Sequence, residues 1–272
     1  MAKRRNGWNE DKIVRYFTEG RGSGELSNYK PWLTIQDVPS AGRVHRLKGW
    51  KTNRIHHLLS DLERDYFYLL DWASDVIDIR EQYPLNREKT VQIAEKKRIS
   101  HPVDSVTRIP IVCTTDFLIT VRQGNKILHL ARTTKPYQEL NDKRVIEKFE
   151  IERQYWGDAG VDWGIVTELE LPKEICKNIG WVHSSYNMEE EDIDLAVTLY
   201  DYIKGKDALI LDILKLFDEY YAFEAGTALS CLKYLIAHKY VGIDMDKPLD
   251  LRASLSSLDF SLSNKPKGRL AT

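Results

Sequence analysis

Cysteine is scarce in this chain: only Cys113, Cys176 and Cys231 occur, far apart and in no Cys-x-x-Cys or Cys/His spacing. That excludes a disulfide framework and a structural zinc site, and leaves three small apolar residues for the interior. Long apolar runs are missing as well. No uncharged stretch approaches the ~18 residues of a membrane span, and the basic start Met1 to Trp8 leads into no apolar segment of the signal-peptide kind. The chain is therefore expected in the cytoplasm. Gly20-Arg21-Gly22-Ser23-Gly24 lacks a preceding apolar strand and a Gly-Lys-Ser/Thr ending, so it is not a phosphate loop and reads as a mobile basic loop. Internal repeats and low-complexity tracts are absent too. A net charge of -1 argues against a protein that coats nucleic acid by bulk electrostatics.

What is present is a globular composition, 42% hydrophobic and 30% charged over 272 residues, enough for one large domain or two ordinary ones. Charge is segregated along it. Up to Arg54, Lys and Arg outnumber Asp and Glu by roughly seven, whereas Glu189-Glu190-Glu191-Asp192 opens an acidic stretch reaching about Glu224. A basic arm and an acidic patch suggest two partners, one a polyanion, against the plainer reading of solvated surface.

Periodicity supplies the elements. Asn9 caps a helix ending at Gly20, and residues 30–53 read as irregular or short β structure. Apolar residues from Ile55 to Leu70 predict an amphipathic helix over 53–72. A strand at 76–83 and a helix or loop at 86–100 follow. Two β runs, 109–121 and 127–134, flank a Gly124-Asn125 turn, then come a helix at 142–157 and a strand at 163–167. This order predicts an α/β core. At about residue 168 the character turns acidic and helical, which places a boundary between domains 1–168 and 169–272. Helix 227–238, a turn and Val241 to Asp244 suggest a winged-helix unit, or else a generic helical cap.

If Gly124 and Asn125 are the turn residues, opposed positions sum to about 249, so Asp116 faces Thr133, with Lys135 on the same face. Glu152 falls on the apolar stripe of Val145, Phe149 and Trp156, and Glu63 on that of Leu59, Leu62, Tyr66 and Leu70. A buried carboxylate is costly unless paired or bound to metal. For Glu63 a second reading stands beside this one, because Ser60-Asp-Leu-Glu63 is a capping-box pattern. For Glu152 the second reading is a surface residue bonded to Lys148. Together, two stripe carboxylates, a strand Asp and a Lys make a hard, oxygen-rich Mg²⁺ site of the kind that cuts phosphodiesters, with Mn²⁺ able to substitute. Asp116 and the following x-x-Lys strand resemble the PD-(D/E)xK nucleases.

The stretches HHLLSDLE, DIREQYPL, HPV, TTDF, TKP and ERQYW narrow that likeness. They resemble TnsA, the endonuclease subunit of heteromeric cut-and-paste transposases, from the first helix to about Trp181. The resemblance implies a restriction-endonuclease-like mixed-sheet core and a C-terminal, mostly helical winged-helix domain. It implies catalytic roles for Glu63, Asp116, Lys135 and Glu152, with metal ligation by Glu63, Asp116 and position 133. There the family has Gln and this chain Thr133, a poorer metal ligand. It further implies cleavage of the 5′ strands at transposon ends beside a TnsB-type transposase and a TnsC-type ATPase. Lys3, Arg4, Arg5, Arg43, Arg46, Lys48, Lys51 and Arg54 would then grip phosphates of the double-stranded DNA. A free-standing restriction or repair nuclease, and a catalytically weak DNA-binding scaffold, are the alternatives.

Overall fold

The N-terminal helix follows from its cap. Asn9 Oδ1 accepts the Lys12 N–H at 2.8 Å and starts α1, Glu10–Thr18. The computed structural model of the chain describes residues 7–38, 42–262 and 266, so Lys3, Arg4 and Arg5 lie outside the described residues. It divides into two units, 1–171 and 172–272.

In the first unit the glycine-rich stretch after α1 is a fixed loop, not the mobile one expected. Gly22 has a φ of +77°, and a Cβ there would come within 2.1 Å of Pro84. Arg21 stacks 3.6 Å from the Tyr16 ring centroid and pairs with Asp37 at 2.7 Å, so its charge is used internally.

The helix expected over 53–72 is two elements. Strands β1, His45–Lys48, and β2, Ile55–Leu58, form a small antiparallel sheet. Helix α2, Asp61–Trp72, begins only where the Ser60 hydroxyl accepts the Glu63 N–H at 3.0 Å. Upstream of that cap, burial alternates with a period of two, with His56 and Leu58 inside. The cap outweighs the apolar spacing that carries over from Ile55 to Leu59.

The main sheet consists of β3, Val76–Pro84, β4, Thr114–Gln123, β5, Lys126–Thr134, and β6, Asp162–Val166, in that order. The first three run antiparallel and β6 lies parallel to β5, which requires a crossover. Helix α4, Lys143–Asp158, makes it; α3, Arg87–Lys97, lies between β3 and β4 in the chain. The β4–β5 hairpin keeps the expected register, from Gln123↔Lys126 to Phe117↔Arg132. Residues 109–113, expected as strand, precede β4, with only a bridge from Pro110 to Val103. One face of the sheet buries Ile79, Phe117 and Ile119 with Phe67 and Leu70 of α2. The other packs Leu118 and Ala131 against Trp156 of α4. This mixed four-stranded sheet packed on both faces is the α/β core that the order of elements predicts.

A buried ionic knot joins β2 to β3. Arg54 donates to Glu81 Oε1 at 2.8 Å and Oε2 at 2.5 Å, and His56 Nδ1 lies 2.8 Å from Glu81 Oε2. Glu81 is fully buried, and His56 and Arg54 hold its carboxyl well below the usual range despite the desolvation that raises it. Arg54 is therefore not a phosphate contact: its guanidinium neutralises an internal carboxylate.

The second unit is helical: α5, Lys173–His183, α6, Glu190–Ile203, α7, Ile210–Tyr220, and α8, Thr227–Ala237. Its core includes Ile179, Leu199, Phe217 and Leu235. Asp218 accepts the Gly226 and Ala228 N–H groups, both at 2.8 Å, and fixes the start of α8. Among the described residues its only β pairings are the bridges Leu209↔Ser254 and Gly242↔Asp259. No helix of the described residues is long and apolar enough to cross a membrane.

Candidate active site

Glu63 meets both of its readings. As the third residue of α2 it completes the capping box, accepting the Leu59 N–H at 2.9 Å and the Ser60 hydroxyl at 3.2 Å. Its carboxylate is nonetheless 6% exposed and lies 3.4 Å from the Gln82 amide nitrogen. Burial, then the charge of Asp116, pushes Glu63 up to about 8.

Asp116 stands near the start of β4, just beyond the last β4–β5 pair, Phe117↔Arg132. With the ladder ended, it does not meet Thr133 as the extrapolated register required. Its Oδ2 accepts the Thr134 N–H at 2.8 Å and hydroxyl at 3.0 Å, and its Oδ1 the Gln82 amide at 3.4 Å. Burial raises its pKa, offset in part by the Thr134 and Gln82 donors and by the charge of Lys135.

The Thr133 hydroxyl donates instead to Glu152, a very short contact. Glu152 Oε1 also accepts from Thr115 Oγ1 at 2.7 Å and Trp163 Nε1 at 3.0 Å. Burial lifts Glu152 to about 7 against those three donors, and Asp116 adds to the rise. Thr133 is thus corrected from an expected cation ligand to a donor that orients Glu152. Glu152 is buried at 6% exposure, not a surface residue bonded to Lys148.

Asp116, Thr133, Thr134, Lys135, Lys148 and Glu152 line one cavity of about 310 Å³. Lys135 Nζ pairs with Glu139 at 2.6 Å. A neighbouring depression of about 590 Å³ shares Pro102, Ile111 and Lys148 with it and adds Arg108 and Arg144. The basic-arm residues fare differently. Arg46 and Lys48 are exposed on β1, Arg43 is exposed but 3.0 Å from Asp61, and Lys51 is half-buried.

Among the described residues no group of three or more His, Cys, Asp or Glu could hold a metal ion, and no Lys or Arg forms an ion pair with Glu63 or Asp116. Two buried, mutually repelling carboxylates without a bonded cation are the donor set that a hard divalent ion would stabilise, if water or substrate completed its oxygens. The pair therefore fits Mg²⁺ or Mn²⁺. Sequence reasoning missed Gln82 and Thr134. Gln82 stands inside DIREQYPL and Thr134 inside TKP, with nothing in their residue types to mark them.

Comparison with known proteins agrees with a nuclease. Residues 73–168 match the family described as TnsA-like endonuclease N terminal, and 170–245 that described as TnsA endonuclease C terminal. The first match takes in Asp116, Lys135 and Glu152 and begins after Glu63. Transposon Tn7 transposition protein TnsA of Escherichia coli is 40% identical over 252 residues, 91% of this chain and 90% of that protein.

Proposed function

Because the chain belongs to the TnsA endonuclease family, we propose that it is the endonuclease subunit of a cut-and-paste transposase and hydrolyses the 5′ strands at transposon ends. The observation that carries this reading is the placing of Asp116 with Lys135 and Glu152 around one cavity, while the Gln82 amide reaches both Asp116 and the buried Glu63.

Glu63 and Asp116 would hold Mg²⁺, or Mn²⁺ in its place. When bound, such an ion polarises the scissile phosphate and lowers the pKa of a nearby water. Lys135, at the cavity wall, supplies fixed positive charge toward the phosphate and helps keep Asp116 ionised. Glu152, poised near neutrality and held by Thr115, Thr133 and Trp163, can take a proton from water at the cavity or lend rigidity to its wall. Thr134 fixes the Asp116 rotamer. Lys148, Arg144 and Arg108 border the approach and would contact the backbone of double-stranded DNA, with Arg46 and Lys48 as outlying contacts.

In the second unit the bridges Leu209↔Ser254 and Gly242↔Asp259, beside α6, α7 and α8, support reading it as a reduced winged helix. The side chains of α8 are mostly buried, and Glu190, Glu191 and Asp192 open α6. That surface suits a protein partner better than DNA. A TnsC-type ATPase would dock on it, while a TnsB-type transposase delivers the DNA ends.

The test is strand-specific cleavage of end-containing DNA with the transposase present, in Mg²⁺ and in chelator. Asp116→Ala should abolish 5′ cleavage and leave 3′ cleavage by the transposase intact, so the element remains attached to its donor and products become cointegrates. Undiminished 5′ cleavage by this variant would remove the site assignment.

A further inference from the structure

We propose that Gln82 is a ligand of the divalent cation, the third side chain of the site formed by Glu63 and Asp116. The proposal rests on the metal-site reading above and adds a residue to it. Two carboxylates supply few of the roughly six oxygens a hard cation takes. Among the described residues the side chain that reaches both is Gln82, 2% exposed, whose amide nitrogen is 3.4 Å from Glu63 Oε2 and 3.4 Å from Asp116 Oδ1.

At that length neither contact is a strong hydrogen bond. The amide occupies the space between two like charges. Its Oε1 accepts from the Thr114 hydroxyl at 3.3 Å. A half-turn about the last side-chain bond exchanges nitrogen and oxygen, and a hydroxyl can accept as well as donate, so Thr114 satisfies either orientation. Without a cation the N–H groups facing the carboxylates are favoured. With a dication between them the carbonyl oxygen is favoured, and the backbone need not move.

The backbone at this position is built for that placement. Gln82 has a φ of +48° within β3, the left-handed region that non-glycine residues rarely enter. Both sides of the kink are held. The Gln82 carbonyl accepts the N–H of Trp32, a fully buried residue, at 3.2 Å, and Glu81 is bound by Arg54 and His56. Glu81↔Phe117 and Tyr83↔Thr115 pair on either side. A strained strand residue fixed on both flanks, with its side chain between two carboxylates, is the arrangement of a preorganised ligand.

Position 133 is the control, since an oxygen added there would meet Glu152 rather than the cation. The full chain is studied without DNA: Mn²⁺ affinity by calorimetry, and thermal melts across a Mn²⁺ titration, for wild type, Gln82→Leu, Gln82→Glu and Thr133→Glu. Gln82→Leu should weaken Mn²⁺ binding on the order of tenfold. Gln82→Glu should melt lower than wild type without ion and gain more from Mn²⁺. Thr133→Glu should show no such extra gain. If Mn²⁺ stabilises wild type and both Gln82 variants alike, Gln82 is not a ligand and the two-carboxylate site stands. If wild type shows no Mn²⁺ response, the metal-site reading fails and takes this inference with it. Should Gln82→Leu fail to fold, Gln82→Glu alone decides.

Discussion

Three buried carboxyls with raised affinity for protons, Glu63, Asp116 and Glu152, give the metal-free fold a pH dependence of definite sign. Glu63 and Glu152 are lifted from an ordinary 4.5 to about 8 and about 7. Between 4.5 and those values the folded state keeps protons that the unfolded chain has released, so stability falls as pH rises. Glu81 has the opposite sign, because its depressed pKa gives stability that is present above the unfolded value and is lost as pH falls. The metal-free melting temperature should therefore peak at mildly acidic pH and decline toward pH of about 8, and saturating Mg²⁺ should flatten the alkaline limb. A calorimetric series with and without Mg²⁺ checks it; an alkaline limb that ignores the ion would mean the carboxyls are neutralised by something else. Arg54 carries the second prediction at this scale. Arg54→Ala leaves Glu81 buried with His56 and the His57 N–H but without its guanidinium, and removing one partner of a buried pair costs about 3–5 kcal/mol. The melting temperature should drop by roughly 10 °C. Arg46→Ala, on the exposed side of β1, should leave it within about 1 °C.

At the scale of elements, the start of α2 serves the helix and the site with the same side chains. Ser60→Ala should cost about 1 kcal/mol as a lost cap and also weaken Mn²⁺ binding, because the Ser60 hydroxyl helps to hold Glu63. Asn9→Ala removes an N-cap of the same kind from α1 at a similar cost, yet should leave Mn²⁺ affinity unchanged. Calorimetry on both variants separates the two effects, and equal loss of Mn²⁺ affinity would show that the Ser60 effect is only general destabilisation. The β4–β5 hairpin shows how far periodicity reaches. Gly124 and Asn125 set the register of seven consecutive pairs. One residue past the last of them the alternation no longer tells where a side chain goes, and the site lies just there. Helix α2 shows a different limit. Apolar spacing continued smoothly from β2 into the helix, and only the Ser60 cap marked the change.

For the whole molecule, the four candidate residues Glu63, Asp116, Lys135 and Glu152 all belong to the first unit. A chain ending at residue 171 should keep its Mn²⁺-dependent stabilisation and lose binding to the proposed TnsC-type ATPase, which a melt and a pull-down with the purified ATPase check. Retained ATPase binding would move the docking surface into the nuclease unit. Sequence alone determined the α/β class, the hairpin register, the carboxylates set on apolar stripes and, through DIREQYPL and ERQYW, the family. These are local properties: periodicity, turn chemistry and short motifs need only neighbouring residues. Tertiary structure decided the rest. It turned Arg54 from a surface cation into the partner of Glu81, gave Thr133 to Glu152 and Thr134 to Asp116, and set Gln82 between two carboxylates. Each of those outcomes depends on where a strand stops pairing or where a backbone enters the left-handed region. Such choices are made by distant residues such as Trp32, which no window along the chain contains.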